Sequence, residues 1–220
     1  MTLALLLAGA AVAAWYYQRA QQRPGAGASA AAKARSLRSP LVRLADLAGI
    51  QTARGRQANQ WAAGAVGERA TAARLAPLAA QGWTVLHDRA LPGSRANADH
   101  LLISPAGVVF VVDSKRWRAS QRLRISDGRL VDGHGDLTYR LRGIRHEADV
   151  VRRVLDCPVI ALVSMDGPHV DGGELLLDGI RIVPADRLVP VLCSLGRRHR
   201  AAGEHPGRRA ASLFPPYRRK

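Results

Sequence analysis

Residues 99–115 read DHLLISPAGVVFVVDSK, two apolar runs joined by the turn SPAG at 104–107 and bounded by acids. Proline suits the first central position of a type I turn, and glycine suits the left-handed position that follows. The stretch therefore predicts a β-hairpin with a three-residue loop, which places Asp99 directly opposite Asp113 on one sheet face. A two-residue loop would instead place Asp99 opposite Val112 and separate the two acids by a face.

The predicted register concentrates charge at one end of the hairpin. Directly paired residues have Cβ atoms about 5 Å apart, and residues two apart on a strand share a face, so Asp99, Asp113 and Lys115 should converge. Facing carboxylates repel each other unless a cation lies between them. Hard ions bound by oxygen, Mg²⁺ or Mn²⁺, fit this donor set best, and the pattern indicates metal-assisted phosphodiester chemistry.

Length and charge narrow the class of protein. The 220 residues, 47% of them hydrophobic, predict about one domain with a good core. A net charge of +16, carried mostly by arginine, indicates a polyanionic partner, either nucleic acid or an anionic membrane surface. Cys157 and Cys193 form no metal-ligand or disulfide pattern, and the absence of P-loop and GxSxG motifs argues against nucleotide kinases and serine hydrolases.

Residues 1–17 are uncharged, mostly apolar and end in three aromatic residues, after which basic residues follow. This pattern predicts a transmembrane anchor, with the rest of the chain in the cytoplasm. The alternative is a cleaved signal peptide and secretion, with a small-residue cleavage site at Ala11-Val12-Ala13. Residues 18–57 read as a basic linker with a short helix from Pro40, whose apolar face should pack on the domain rather than lie on the membrane.

Residues 58–195 predict an α/β domain with a mixed central sheet flanked by helices. Asn59 is the expected cap of a first helix that runs from Gln60 to about Ala80. The remaining elements expected are strands at 83–86, 101–103, 108–112 and 159–164, an edge strand at 180–183, and helices at 144–155 and 185–195. Residues 196–220, rich in arginine, read as a disordered tail that seeks phosphate.

Three blocks in this order resemble the nuclease-related domain (NERD) family of the PD-(D/E)xK nuclease superfamily: GAVGE at 64–68, ADH at 98–100 with SPAGV at 104–108, and VVDSK at 111–115. The resemblance implies a restriction-endonuclease-like core of helix, three strands, helix and strand. It identifies Glu68 with the family's helix acid, Asp99 with the principal metal-binding aspartate, and Asp113 and Lys115 with the (D/E)xK pair. The chain departs from the family where a glutamine often begins the second helix.

These comparisons give each candidate residue an expected role. Asp99, Asp113 and Glu68 should hold Mg²⁺ or Mn²⁺, while Lys115 positions the attacking water or stabilises developing charge. His100 should point to the opposite sheet face and serve as a core histidine. The expected nucleic-acid contacts are Arg116, Trp117, Arg118, Arg142 and Arg145, with packing in the domain as the alternative role of Trp117.

The sequence therefore favours a membrane-anchored, metal-dependent nuclease-like domain that acts on DNA or RNA, with DNA preferred. Two alternatives keep the same fold without turnover. One is a non-catalytic module that binds nucleic acid or anionic lipid, and the other is a membrane-associated scaffold.

Overall fold

The computed structural model describes residues 25–199 and 205–217, which form a mixed α/β fold. The helices are α1 Ala28–Leu37, α2 Pro40–Leu47, α3 Ala53–Ala80, α4 Arg142–Leu155, α5 Leu188–Arg198 and α6 Gly207–Leu213. The strands are β1 Thr84–Ala90, β2 Asn97–Ile103, β3 Val109–Arg116, β4 Arg122–Ser126, β5 Arg129–Asp132, β6 Gly135–Asp136, β7 Val159–Asp166, β8 His169–Val170, β9 Leu175–Leu177 and β10 Ile180–Pro184. A six-stranded sheet has the strand order β1-β2-β3-β7-β10-β9, and a smaller sheet has the order β6-β5-β4-β8.

The β2–β3 hairpin has the predicted three-residue loop. The N–H of Ser104 donates to the carbonyl of Val108 at 2.9 Å, and the N–H of Gly107 donates back to Ser104 at 2.8 Å. Gly107 adopts a φ of 80°, the left-handed conformation that this turn requires. The ladder pairs His100 with Val112, so the same register sets Asp99 opposite Asp113.

The large sheet is buried between two layers of helices. Strands β1, β2 and β3 are antiparallel neighbours, whereas β7 is parallel to β3 and β10 is parallel to β7. One face packs on α3 and α5 through residues such as Leu75 and Leu192, and the other packs on α4 and α6 through Ile144 and Phe214. This is the expected arrangement of a mixed sheet flanked by helices, and it fits a nuclease-like core.

Strand β10 is not the edge strand that the sequence predicts. It lies between β7 and β9, because the short run Leu175–Leu177 folds back and pairs antiparallel with it. Ile180 and Ile182 of β10 are accordingly almost fully buried. The edge of the sheet is formed by β9, whose Leu176 is 55% exposed.

Helix α3 begins seven residues earlier than predicted. Thr52 is its cap, since the Thr52 hydroxyl accepts a hydrogen bond from the N–H of Gly55 at 3.0 Å. Asn59 lies inside the helix, and its side chain accepts a hydrogen bond from Arg38 at 2.7 Å. The prediction that Asn59 caps the helix was therefore wrong, because Thr52 supplies the same chemistry about two turns upstream.

The expected basic linker, residues 18–57, contains ordered helix from Ala28 onward. Helix α1 packs on α3 and buries Ala30 and Ala34. The contact is close: a Cβ added at Gly27, whose φ is 73°, would lie 2.6 Å from the carbonyl oxygen of Ala65. Small residues in this stretch allow two helices to approach each other, which explains why a composition typical of linkers forms a packed layer.

The carboxylate of Asp88 in β1 joins this layer to the sheet. It accepts hydrogen bonds from the N–H of Ser29 at 2.8 Å and from the side chain of Asn97 at 2.9 Å. Asp88 is nearly fully buried, and burial raises its pKa while the Ser29 and Asn97 hydrogen bonds lower it. The start of α1 is therefore fixed by a buried acid in β1.

Helix α2 turns its apolar face away from the domain, contrary to the prediction that this face packs. Leu41, Leu44 and Leu47 are 78%, 65% and 86% exposed, and only Val42 is buried. Val42 lies on the other side of the helix and contacts the first turn of α3, which leaves the leucine stripe without a partner within the described chain.

The predicted membrane anchor, residues 1–17, lies outside the described residues. Within residues 25–199 and 205–217, no helix combines the length and apolarity that a membrane span needs.

The expected disordered tail, residues 196–220, includes ordered structure at 205–217. Helix α6 packs on the sheet, and Phe214 and Ala210 are fully buried. Backbone hydrogen bonds connect this segment to β1, from Ala90 to Pro215 at 2.9 Å and from Tyr217 to Asp88 at 2.8 Å. A single aromatic side chain in a basic segment thus brings the C-terminal residues into the core.

Candidate active site

Asp99, Asp113 and Lys115 converge at the end of the β2–β3 hairpin. The ammonium of Lys115 lies 2.8 Å from Oδ1 and 2.6 Å from Oδ2 of Asp113. Asp99 Oδ2 accepts a hydrogen bond from the backbone N–H of Ser114 at 3.1 Å. Asp113 is buried, whereas the side chain of Lys115 is 30% exposed, so the group opens to solvent on the lysine side.

Glu68 joins this group from α3. The same helix buries Thr71, Leu75 and Leu78, so the carboxylate lies on the buried face of α3 rather than in solvent. Burial, together with the charges of Asp88 and Asp113, raises the pKa of Glu68 to about 7. The backbone N–H of Gly27 and the charge of Lys115 act in the opposite direction.

Glu147 of α4 is a fourth acid, absent from the site residues predicted from the sequence. It is buried, and burial followed by the charge of Asp113 raises its pKa well above the ordinary range. A signal was present in the sequence: Glu147 follows Ile144 by three residues and precedes Val151 by four, so it lies on the apolar face of its helix. An acid on such a face faces the core and needs a partner there.

The carboxylates of this group raise one another's pKa values through their negative charges. Burial raises the pKa of Asp99 well above its usual range, and the charges of Glu68, Asp113 and Glu147 raise it further. Burial alone would lower the pKa of Lys115, but Asp113, Asp99 and Glu147 outweigh that effect and raise it. One ammonium cannot neutralise four buried or half-buried acids, so this centre either retains protons or attracts a cation.

The donor chemistry of the group suits a divalent cation. Glu68 Oε2 and Glu147 Oε2 are buried without a hydrogen-bond partner in the described structure, and carboxylate oxygen is the ligand that Mg²⁺ and Mn²⁺ prefer. Among residues 25–199 and 205–217, however, no three His, Cys, Asp or Glu side chains are arranged to hold a metal ion as they stand. Metal binding would therefore require the carboxylates to reorient.

His100 lies on the sheet face opposite Asp99, as the alternation predicts. It is fully buried, with Nδ1 2.7 Å from Nδ1 of His87 and Nε2 3.0 Å from the hydroxyl of Ser114. Burial and the proximity of His87 lower the pKa of His100 well below its usual range, so the ring is neutral. It is a hydrogen-bonded core histidine.

The residues that follow Lys115 lie in different environments. Arg116 is half-exposed and pairs with Asp166 at 3.6 Å, beside Gly67 of α3. Trp117 is half-buried, and the guanidinium of Arg140 lies over its ring, 4.9 Å from the centroid. Arg118 is exposed, so it and Arg116 are available to phosphate, whereas one face of Trp117 is already occupied.

The two arginines predicted on the second helix are exposed residues of α4. Arg142 is the first residue of the helix. Arg145 forms an exposed ion pair with Asp178 at 2.9 Å, which engages its guanidinium away from the acids. Exposed pairs of this kind contribute little to stability, so Arg145 could exchange this partner for a phosphate at low cost.

Two surface cavities lie elsewhere on the molecule. One, of about 480 Å³, is lined by β4 and β5 residues such as Arg124 and Arg129. The other, of about 240 Å³, is lined by α5 and β10 residues such as Arg198 and Arg181. Neither is lined by an acid of the centre, which is therefore distinguished by its charge and burial and not by cavity size.

Comparison with known proteins gives one match. The family model described as nuclease-related domain, NERD, matches residues 63–163, a range that contains Glu68, Asp99, Asp113, Lys115 and Glu147. No curated protein and no solved structure matches the chain significantly. The matched range begins within α3 and ends within β7, so it covers the elements that carry all five residues. Residues 63–163 therefore match the nuclease-related domain family, in agreement with the resemblance of the three sequence blocks.

Proposed function

We propose that this protein is a metal-dependent phosphodiesterase that cleaves DNA. The observation that carries the proposal is the convergence of Asp99, Asp113 and Lys115 with two further buried acids, Glu68 and Glu147, inside a nuclease-related domain. A surface ion pair would be exposed, and an ordinary core would not hold four carboxylates around one lysine, so this grouping indicates a functional site.

Asp99, Asp113 and Glu68 would hold Mg²⁺ or Mn²⁺, and Glu147 extends this donor set from the opposite layer of helices. A divalent ion supplies Lewis-acid polarisation of the scissile phosphate and lowers the pKa of water. The buried carboxylate oxygens of Glu68 and Glu147 that lack hydrogen bonds support this assignment, because a cation would satisfy them.

The protein's own groups have complementary tasks. The ammonium of Lys115, with its raised pKa, stays positive near neutral pH and can stabilise negative charge that develops on a phosphate oxygen. The hydrogen bond from the backbone N–H of Ser114 keeps the Asp99 carboxylate turned toward β3 while these groups act.

Nucleic acid is the substrate class that fits the charge of the chain. The net charge of +16 favours association with a polyanion, and the exposed arginines Arg116, Arg118 and Arg142 lie on elements that also carry site acids or directly follow them.

Residues 1–17 would anchor the protein in a membrane with its domain in the cytoplasm, and secretion after signal cleavage is the alternative.

A non-catalytic module that binds nucleic acid is the second candidate. The observation in its favour is that Lys115 already occupies both oxygens of Asp113, while no three potential ligands in the described chain stand ready to hold a metal. In that case Lys115 would be a structural counterion, and the basic surface would bind without cleavage.

Cleavage by the full-length chain distinguishes the two candidates. Supercoiled plasmid, linear duplex DNA and single-stranded RNA would be incubated with the protein and Mg²⁺ or Mn²⁺, with EDTA as the blank. The proposal expects metal-dependent cleavage of DNA that Asp113→Asn and Lys115→Ala abolish while DNA binding persists. Asp178→Asn is the matched control, because Asp178 is an exposed acid at a left-handed position that asparagine tolerates. Binding without cleavage of any substrate would instead support the non-catalytic module.

A further inference from the structure

We infer that the exposed face of α2, with the adjacent Ile50, rests on an anionic lipid bilayer. Leu41, Leu44, Leu47 and Ile50 are each more than 60% exposed, although they are large aliphatic residues within ten positions of one another. Monomeric soluble proteins rarely leave such a cluster in water unless it has a partner. This inference concerns where the domain sits and does not depend on catalysis.

The orientation of the leucine stripe, Leu41, Leu44 and Leu47, is fixed because the opposite side of α2 packs on α3. Ser39 caps the helix, and Pro40 occupies its first turn. Val42 is buried, and a Cβ added at Gly55 in the first turn of α3 would lie 3.6 Å from a Val42 methyl group and 3.0 Å from Asp46. Glycine at this position thus permits α2 to lie close to α3, and the leucines face outward because Val42 faces inward.

The charges around the stripe match an anionic surface. Between residues 18 and 67 the sequence has one acid, Asp46, and eight basic residues: Arg19, Arg23, Lys33, Arg35, Arg38, Arg43, Arg54 and Arg56. Five of these, Arg35, Arg38, Arg43, Arg54 and Arg56, are exposed. An amphipathic helix with aliphatic residues on one face and arginines beside them is the pattern of interfacial membrane binding.

A bilayer accounts for these features better than the other two partners. DNA would use the arginines but would leave four aliphatic side chains in water, because its backbone presents phosphates. A second copy of the chain would cover the leucines but would bring two strongly basic segments together. A bilayer with acidic headgroups satisfies both the aliphatic side chains and the arginines.

The position of α2 in the chain also favours a membrane. The apolar segment ends at Tyr17, and the described structure begins at Gly25. Eight peptide units span at most about 28 Å, so if the segment enters a bilayer the start of the domain lies within that distance of it. The proposed anchor and the exposed helix would then contact the same surface.

The depth of position 44 in vesicles tests the inference. The full-length chain carrying Leu44→Cys, in a Cys157→Ser and Cys193→Ser background, would be labelled with an environment-sensitive fluorophore and reconstituted in phosphatidylcholine–phosphatidylglycerol vesicles. Flotation would establish that the protein is bound. We expect a blue shift of the emission and quenching by doxyl-labelled lipid at position 44, with a smaller shift in vesicles of phosphatidylcholine alone. Arg153→Cys, an exposed position on α4, is the control and should show neither effect.

A second arm labels Leu44→Cys with both native cysteines retained and uses the labelled parent chain as the blank, so that the result does not depend on the serine background. Emission at position 44 that matches position 153 in vesicle-bound protein would overturn the inference, as would failure of the chain to float with anionic vesicles. A blue shift that occurs without vesicles at high protein concentration, or only with duplex DNA, would assign the stripe to a second copy or to nucleic acid instead. Loss of nuclease activity has no effect on this readout, so the two proposals fail separately.

Discussion

The Asp99 carboxylate accepts a hydrogen bond from the backbone N–H of Ser114, 3.1 Å away across the hairpin. Asp99, one of the proposed metal ligands, therefore also connects the start of β2 to the end of β3. Charge and hydrogen bonding can be separated at this position, because asparagine keeps an acceptor oxygen and loses the negative charge.

For Asp99→Asn we expect cleavage to fall at least ~100-fold while thermal stability without metal is unchanged or raised. The loss reflects the missing carboxylate ligand, and stability is maintained because the mutation removes one of several repelling acids. Initial rates of plasmid cleavage and thermal melts of the metal-free protein measure the two effects. An asparagine variant that cleaves at the parent rate would remove Asp99 from the mechanism.

For Glu147→Gln we expect cleavage to fall by about 10- to 100-fold, the usual cost of losing a group that supports a metal centre. Glu147 is buried, and the charges of Asp113 and Lys115 act on its carboxylate. Glu174→Gln is the matched control, because Glu174 pairs with Arg181 far from the acids in the chain's β9–β10 region. Equal activity of the two variants would limit Glu147 to a role in packing.

Glu68 should make the free energy of unfolding of the metal-free protein fall as pH rises from 5.5 to 8, whereas the lowered pKa values of His87 and His100 act in the opposite direction. Glu68 has a pKa of about 7 when folded against an ordinary value of 4.5, so between these values the folded state binds more protons than the unfolded chain. Above pH 7, where Glu68 is ionised in the folded protein, it lowers the free energy of unfolding by on the order of 3 kcal/mol. The raised pKa values of Asp99 and Glu147 act in the same direction.

Denaturant unfolding at several pH values measures this dependence. Glu68→Gln removes one titrating group and keeps both histidines, so the parent should lose stability relative to this variant as pH rises from 5.5 to 8. Identical pH dependences of the parent and the variant would contradict the electrostatic description of the centre.

Added Mg²⁺ or Mn²⁺ should stabilise the protein more at pH 8 than at pH 6, because protons and metal compete for the same carboxylates. At 100 times the dissociation constant the gain is about 2.7 kcal/mol. Thermal melts with and without metal measure it, and Asp113→Asn should remove most of the gain. Equal stabilisation of the parent and this variant would mean that the ion binds elsewhere.

Phe214→Ala should destabilise the fold by about 3–5 kcal/mol, because Phe214 is fully buried against the sheet and its loss leaves a cavity. Leu176→Ala, at a 55% exposed position, is the control and should change stability by less than about 1 kcal/mol. Denaturant unfolding compares them. Similar small effects would indicate that residues 205–217 are not part of the cooperative unit.

The sequence predicted the hairpin well because its determinants are local. Pro105 and Gly107 set the turn, and the turn sets the register that brings Asp99 and Asp113 together. Glu147 was missed for a related reason: an acid in an arginine-rich helix resembles a solvated residue, and only its spacing from Ile144 and Val151 indicates otherwise.

The ends of the domain were harder to predict because they depend on contacts between distant residues. Helix α1 forms a layer through small residues that fit against α3, and the segment with Phe214 is ordered by burial on the sheet. Composition alone assigns both stretches to linker or tail. The outward orientation of α2 likewise depends on Val42, a single residue whose burial decides which face of the helix meets water.

The side chain of Asp88 accepts a hydrogen bond from the N–H of Ser29, and its backbone carbonyl accepts one from the N–H of Tyr217. A single residue of β1 thus binds segments from both ends of the described chain. A fragment limited to the family range 63–163 would keep every acid of the centre but would lose both of these partners. The buried Asp88 carboxylate would then lack the hydrogen bond from the N–H of Ser29. The charge of Asp88 raises the pKa of Glu68, so this loss would also affect the centre. The smallest piece expected to fold and to reproduce the chemistry of the centre is therefore nearly twice as long as the piece by which the family is recognised.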